Sequence, residues 1–149
     1  MHNLSQHVDV REIGAPVGAG SSIDNNSDRI DMSGYDGALF IATVTDSVAN
    51  GVATLTIEQN DSDSDSGMSA LSGAVATVTS EENDDLNNGI MILDIHRPKK
   101  RYIQAVRTSS TQNIAYGNLI VVLYKGKKMP PSNHSSVLAS TTVVSPDES

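Results

Sequence analysis

Few side chains in this sequence stand at spacings that could do chemistry. The first group is Asp61-Ser-Asp63-Ser-Asp65-Ser-Gly67, where carboxylates alternate with hydroxyls. Carboxylates placed this way can wrap a hard cation, as the first half of an EF-hand loop does. The match then breaks down. Glycine stands at the seventh position instead of the sixth, and the twelfth is Ser72 where a bidentate glutamate is required. A solvated loop at a strand end accounts for the run, with weak calcium binding left open. Glu81-Glu82-Asn83-Asp84-Asp85 reads as a second acidic loop. His2, His7, His96 and His134 lack the i, i+4 or paired spacing of a metal site. No serine occupies a G-x-S-x-G turn, and GAPVGAG at 14–20 lacks the Lys-Ser/Thr of a phosphate loop. Cysteine is absent, which excludes disulfides, thiolate zinc sites and a thiol nucleophile. The expectation is a protein that is not an enzyme and uses no cofactor or metal.

Charge is the stronger signal. The 149 residues carry a net charge of −8, which argues against general nucleic-acid binding. That total conceals a division. Residues 1–94 hold 16 acidic and 2 basic side chains, whereas residues 95–128 hold no acid and eight bases. The bases are Arg97, Lys99, Lys100, Arg101, Arg107, Lys125, Lys127 and Lys128. An acidic body with a basic band suits self-association or docking on a charged protein lattice. Equally, Lys and Arg at strand ends protect exposed edges from wrong pairing. The dense run Arg97-Pro-Lys-Lys-Arg-Tyr has one aromatic residue beside it, too few to stack bases, and leads directly into a strand. It reads as a turn with a surface contact.

The elements that must position these groups are strands. Ala53, Leu55 and Ile57 alternate with Thr54, Thr56 and Glu58, which gives one buried face and one wet face. Further strands are expected at Leu39–Thr45, Ala74–Thr79, Ile90–Ile95, Arg101–Thr108 and Ile114–Lys125. Asn50-Gly51 and Asn88-Gly89 supply hairpin signals, both turn positions being expected at positive φ. The segment Met68–Leu71 is too short for more than a helical turn. Six to eight antiparallel strands separated by frequent turns predict an all-β fold, an antiparallel β-sandwich of jelly-roll-like form. A sandwich is preferred to a barrel because Leu119–Tyr124 is apolar on both faces, as a strand clamped between layers would be.

Three zones are expected. Residues 1–27, rich in Gly, Ser and Asn, form an N-terminal arm with at most a short strand at Val8–Ile13; residues 28–128 form the sandwich; residues 129–149 form an extended C-terminal tail. Within the tail, Val137-Leu-Ala-Ser-Thr-Thr-Val-Val144 has high β propensity, no charge and no proline. Val137, Leu138, Val143 and Val144 could then dock on a neighbour's sheet edge, or the segment could be a disordered end or a last strand of its own domain. The start lacks the basic and apolar regions of a signal peptide, and no run approaches the ~20 apolar residues of a membrane helix.

The order Asp31-Met-Ser-Gly-Tyr-Asp-Gly-Ala-Leu-Phe-Ile, Ala53-Thr-Leu-Thr-Ile-Glu-Gln-Asn with its acidic loop, Lys100-Arg-Tyr-Ile-Gln-Ala-Val-Arg and the apolar strand 119–124 resembles the capsid decoration (cement or stapling) proteins of tailed bacteriophages. The resemblance covers about two-thirds of the chain and is one of pattern; the long tail is not a general feature of that group. It implies a non-enzymatic virion protein on the outer capsid surface, assembled in the host cytoplasm. Such a protein binds the major capsid protein, bridges its subunits against DNA pressure, and acts as a homo-oligomer, a dimer before a trimer, with no nucleic-acid or membrane partner. Residues 97–107 and 125–128 would face partners, and the two arms would reach across or swap between protomers. A head–tail connector or tail protein is the rival structural reading. A carbohydrate- or calcium-binding sandwich module is the third.

Overall fold

The computed structural model describes residues 3–126 and 132–143. One 3-10 turn, Leu4–Gln6, precedes ten strands. These are β1 (Val8–Gly14), β2 (Val17–Gly20), β3 (Asp24–Asn26), β4 (Ile30–Asp31), β5 (Gly37–Ser47), β6 (Val52–Asn60), β7 (Ser69–Thr79), β8 (Gly89–His96), β9 (Tyr102–Ser110) and β10 (Ile114–Tyr124). They form two antiparallel sheets packed as a jelly-roll-like sandwich. The first sheet has the order β1-β10-β5-β8, with β2 also on β10; the second has β3-β9-β6-β7, with β4 also on β9.

Alternation builds the core. Phe40, Ala42 and Val44 of β5, Leu55 and Ile57 of β6, Met91 and Leu93 of β8, Ile103 of β9, and Leu119, Val121 and Leu123 of β10 all turn inward. Phe40, the single phenylalanine, is fully buried. With so few aromatics, the space between layers is filled mainly by branched aliphatic side chains, whose stiff χ1 suits a pleated surface.

Several expectations need correction. Residues 1–27 do not stand off as an arm: β1 pairs with β10 from Val8↔Tyr124 to Gly14↔Leu119, β3 pairs with β9, and Ile13 lies in the core. The pairing partners are about a hundred residues away in sequence, so no local period announces them. Leu119–Tyr124 is not clamped on both faces either. Leu119, Val121 and Leu123 are buried, whereas Ile120, Val122 and Tyr124 lie on the outer face and are only half-buried. Ser69–Leu71, expected to form no more than a turn, open β7.

At the two Asn-Gly turns it is the asparagine that takes the left-handed conformation, with φ +73° at Asn50 and +64° at Asn88. Glycine is needed there for space: a Cβ on Gly51 would stand 2.9 Å from the Val48 carbonyl oxygen, and one on Gly89 would stand 3.0 Å from that of Leu86.

Candidate docking surface

The basic residues converge on one end of the sandwich, but not as a uniform positive face. Arg97, Lys99, Lys100 and Arg101 form the β8–β9 connection, and Lys125 follows β10. This end also receives the chain around Asp31 and Asp36, because Met32 N donates to Arg101 O and Arg97 N donates to Asp36 O. Acidic residues from the first two-thirds of the chain are therefore interleaved with the bases. Arg101 makes a bidentate pair with Asp31, Nε at 2.9 Å and a terminal nitrogen at 2.8 Å. The guanidinium hydrogen bonds, with the Ser33 amide, hold the Asp31 carboxyl well below the usual carboxylate range. Arg97 and Lys100 stand 3.9 Å from Asp36 and Asp61, spacings worth little for exposed pairs. Lys99 and Lys125 are exposed. Lys127, Lys128 and Val144 lie outside the described residues.

Arg107 is a correction. It is not a surface contact: it is fully buried, facing the interior in β9 with Ile103 and Ala105. Its guanidinium donates to Gly117 O of β10, to Ala15 O at 2.7 Å and to Asn25 Oδ1 at 2.9 Å, so it ties one sheet to the other. Its centre lies 5.5 Å from the Tyr116 ring, a cation–π distance. Burial lowers its pKa, yet an arginine keeps its charge. The same burial pushes Tyr116 up to about 12. Parity with Ile103 and Ala105 was the available signal, and the charge count concealed it.

The acidic run 61–67 is held by the protein's own groups. Asn60 Nδ2 donates to Ser64 O at 2.8 Å and Ser66 O at 2.9 Å. Asp63 accepts from Arg29 at 2.6 Å, and Asp65 accepts from Asn26 and Gln104. Among the described residues no three His, Asp or Glu side chains converge as a metal site would require.

Sequence reasoning missed the outer face of the first sheet. Ile120 lies opposite Ile41, and Ile41 opposite Ile92; in the next row Val10 lies opposite Val122, and Val122 opposite Leu39. These rows form an apolar patch, each row three strands wide and ended by an acid, Glu12 opposite Ile120 on β1 and Asp94 opposite Leu39 on β8, with Ile90 at 61% and Ile92 at 53% exposure at its rim. The signal was present in the weak contrast between the two faces of residues 39–45. At one end of the patch Tyr124 and His96 stack on either side of Gly37, with parallel rings 6.3 Å apart. A Cβ on Gly37 would collide with the tyrosine ring. Burial first, then the hydrogen bond to Asp94 at 2.6 Å, pushes Tyr124 up to about 12. Leu4, His7, Val8, Leu39, Val122, Tyr124 and Lys125 border a hollow of about 390 Å³ there.

The tail runs beside this face. Ser136 Oγ accepts the Glu12 amide on the free side of β1 at 3.1 Å, and Thr142 reaches Ser5 and Gln6. Val137 is half-buried. Leu138 is 96% and Val143 65% exposed, and the described tail forms no strand within the chain.

No family model matches the sequence, and no curated protein sequence matches it. A solved structure of similar fold is found at a TM-score above 0.5. The crystal structure of the PBSX exported protein XepA superposes with a TM-score of 0.55 at 15% identity, over 96% of this chain and 46% of that one. This chain therefore spans about half of that protein. The structure of infectious bursal disease virus Gx strain gives 0.49 at 11% identity, over 83% of this chain and 34% of that one. The Clostridium thermocellum xylanase 10B CBM22-1–GH10 modules complexed with xylohexaose give 0.42 at 12% identity, over 89% and 30%. At such identities the likeness is one of fold.

Proposed function

We propose that this protein is a structural component of a tailed-phage virion that binds the outside of the head, contacts the major capsid protein and bridges its neighbouring subunits. The observation that carries this reading is the tail. Ser136 bonds to the edge of β1 and Thr142 to the 3-10 turn before it, while Leu138 and Val143 stay exposed. A segment kept close but not packed on its own domain is suited to bury its apolar side chains on a neighbour. Beside it lies the apolar patch of the first sheet, and contiguous exposed apolar area marks interaction surfaces. Lys125 borders the same region and would steer it toward an acidic capsid surface. The resemblance of residues 31–41 and 100–107 to decoration proteins supports the same assignment. The site acts by binding alone, without cofactor or chemistry. Many weak copies on one lattice would hold by avidity.

Co-sedimentation of the purified chain with heads and, separately, with tails of the virus that encodes it tests the reading. Saturable binding to heads, lost in Leu138→Asp/Val143→Asp, is expected. Binding to tails or to the portal alone would replace it with the connector or tail reading, and binding to neither would overturn it.

A further inference from the structure

We infer that β7 is the edge through which two copies of this chain pair, antiparallel about a two-fold axis. A sheet edge offers unpaired backbone groups, and proteins normally shorten, charge or cover it. Three of the four edges here are managed in that way. β1 carries the tail, with Ser136 on the Glu12 amide. β3 and β4 are three and two residues long. β8 carries Asp94 and His96 on its outer face. β7 is irregular in its first half but is neither short nor charged: its 11 residues, Ser-Ala-Leu-Ser-Gly-Ala-Val-Ala-Thr-Val-Thr, contain no charge and no proline. Its register shifts on β6 between Thr56 and Glu58, near Gly73 with φ +80°, and its second half pairs regularly from Val75↔Thr56 to Thr79↔Val52. That straight half carries Val75 at 51% and Val78 at 36% exposure.

The occupant follows from charge. A two-fold contact sets a surface against itself, so in a molecule of net charge −8 most patches would meet their own acids. The β7 strip is neutral and escapes this. Its two ends are also complementary. The strand runs directly into exposed Glu81, Glu82, Asp84 and Asp85. Toward its other end Gly73 and Ala74 share a hollow with Arg97 and Lys99, whose two positive charges outnumber the one acid there, Asp94. Antiparallel pairing centred near Thr77 brings the acidic loop of each copy to the basic corner of the other, twice over. The inference assigns Arg97 and Lys99 to a second copy and is independent of capsid binding.

The full chain is the test object, and its lack of cysteine makes single cysteines clean reporters. Residues directly opposite across an antiparallel pair have Cβ atoms about 4.5–5.5 Å apart, within disulfide reach. Thr77→Cys alone, and Val75→Cys mixed with Thr79→Cys, should therefore cross-link two copies faster than Asp24→Cys on the β3 edge. By sedimentation equilibrium, Glu81→Lys/Glu82→Lys and Arg97→Glu/Lys99→Glu should each weaken the dimer by about tenfold or more, and the four together should restore it. A monomer at about 100 µM, charge reversals without mutual rescue, or no preferential cross-link at β7 would overturn the inference. Failure here would leave head binding untouched, and failure of head binding would leave the purified dimer in place.

Discussion

Along one side of the sandwich the chain crosses from β2 to β3, and polar groups bind the two sheets together. Arg107 reaches Gly117 O, Ala15 O and Asn25. Ser109 Oγ donates to Gly20 O at 2.7 Å and accepts from Ile23 N at 2.9 Å. Along the other side β7 and β8 border hollows of about 590 and 290 Å³, the larger lined by Gln59, Asp94, His96, Arg97 and Lys99 as well as by apolar side chains. The contrast separates two uses of polar chemistry. Where the layers must be fixed to each other, a buried arginine satisfies carbonyls that would otherwise be orphaned. Where a second copy is proposed to pair, the backbone edge of β7 carries neither charge nor proline.

The largest effect should fall on the closed side. Arg107→Ala leaves the buried Gly117 carbonyl, the Ala15 carbonyl and Asn25 without their donor, and should cost about 3–5 kcal/mol, read by urea denaturation. Arg107→Lys keeps a charge but loses the planar fork, and should recover only part of that. On the open side Met91→Ala should cost about 2 kcal/mol, because the adjoining hollow lets neighbours relax. An Arg107→Ala variant as stable as Met91→Ala would erase the distinction between the two sides. Ser109→Ala, which removes one donor and one acceptor of the closed side, should cost about 1–2 kcal/mol by the same measurement.

The smallest effect is a pH dependence at the basic end. Asp31 is held well below its ordinary value by Arg101, so below about pH 4 the unfolded chain binds a proton that the folded chain still refuses. Stability from this pair is complete above the unfolded pKa and is lost as pH falls through the folded one. Asp31→Asn should lower the melting temperature slightly at pH 7–9 and flatten the acid limb, the two profiles converging as the pH falls toward the folded pKa.

Strand positions were legible because Ala53, Leu55 and Ile57 alternate cleanly and Asn50-Gly51 marks the turn. Arg107 was legible in principle, since it shares the parity of Ile103 and Ala105, but a count of charges ignores parity. The pairing of β1 with β10 was not legible, because it depends on partners such as Val8 and Tyr124 that no local window contains. The basic band likewise dissolved on folding. Asp31, Asp36 and Asp61 come from distant segments to lie among its members. The candidate surface was half visible: the tail's apolar residues stood out, whereas the patch on the first sheet was hidden in strands apolar on both faces.

Heat resistance of heads decorated with the full chain, compared with heads decorated with a chain ending at residue 131, tests the central claim most directly. Each Leu or Val side chain buried on a partner is worth about 1.5–3 kcal/mol, and about 1.4 kcal/mol is tenfold in affinity. The truncated chain should therefore lose occupancy by at least about tenfold, and the heads should open at lower temperature. Full occupancy and unchanged heat resistance without residues 132–149 would contradict the account.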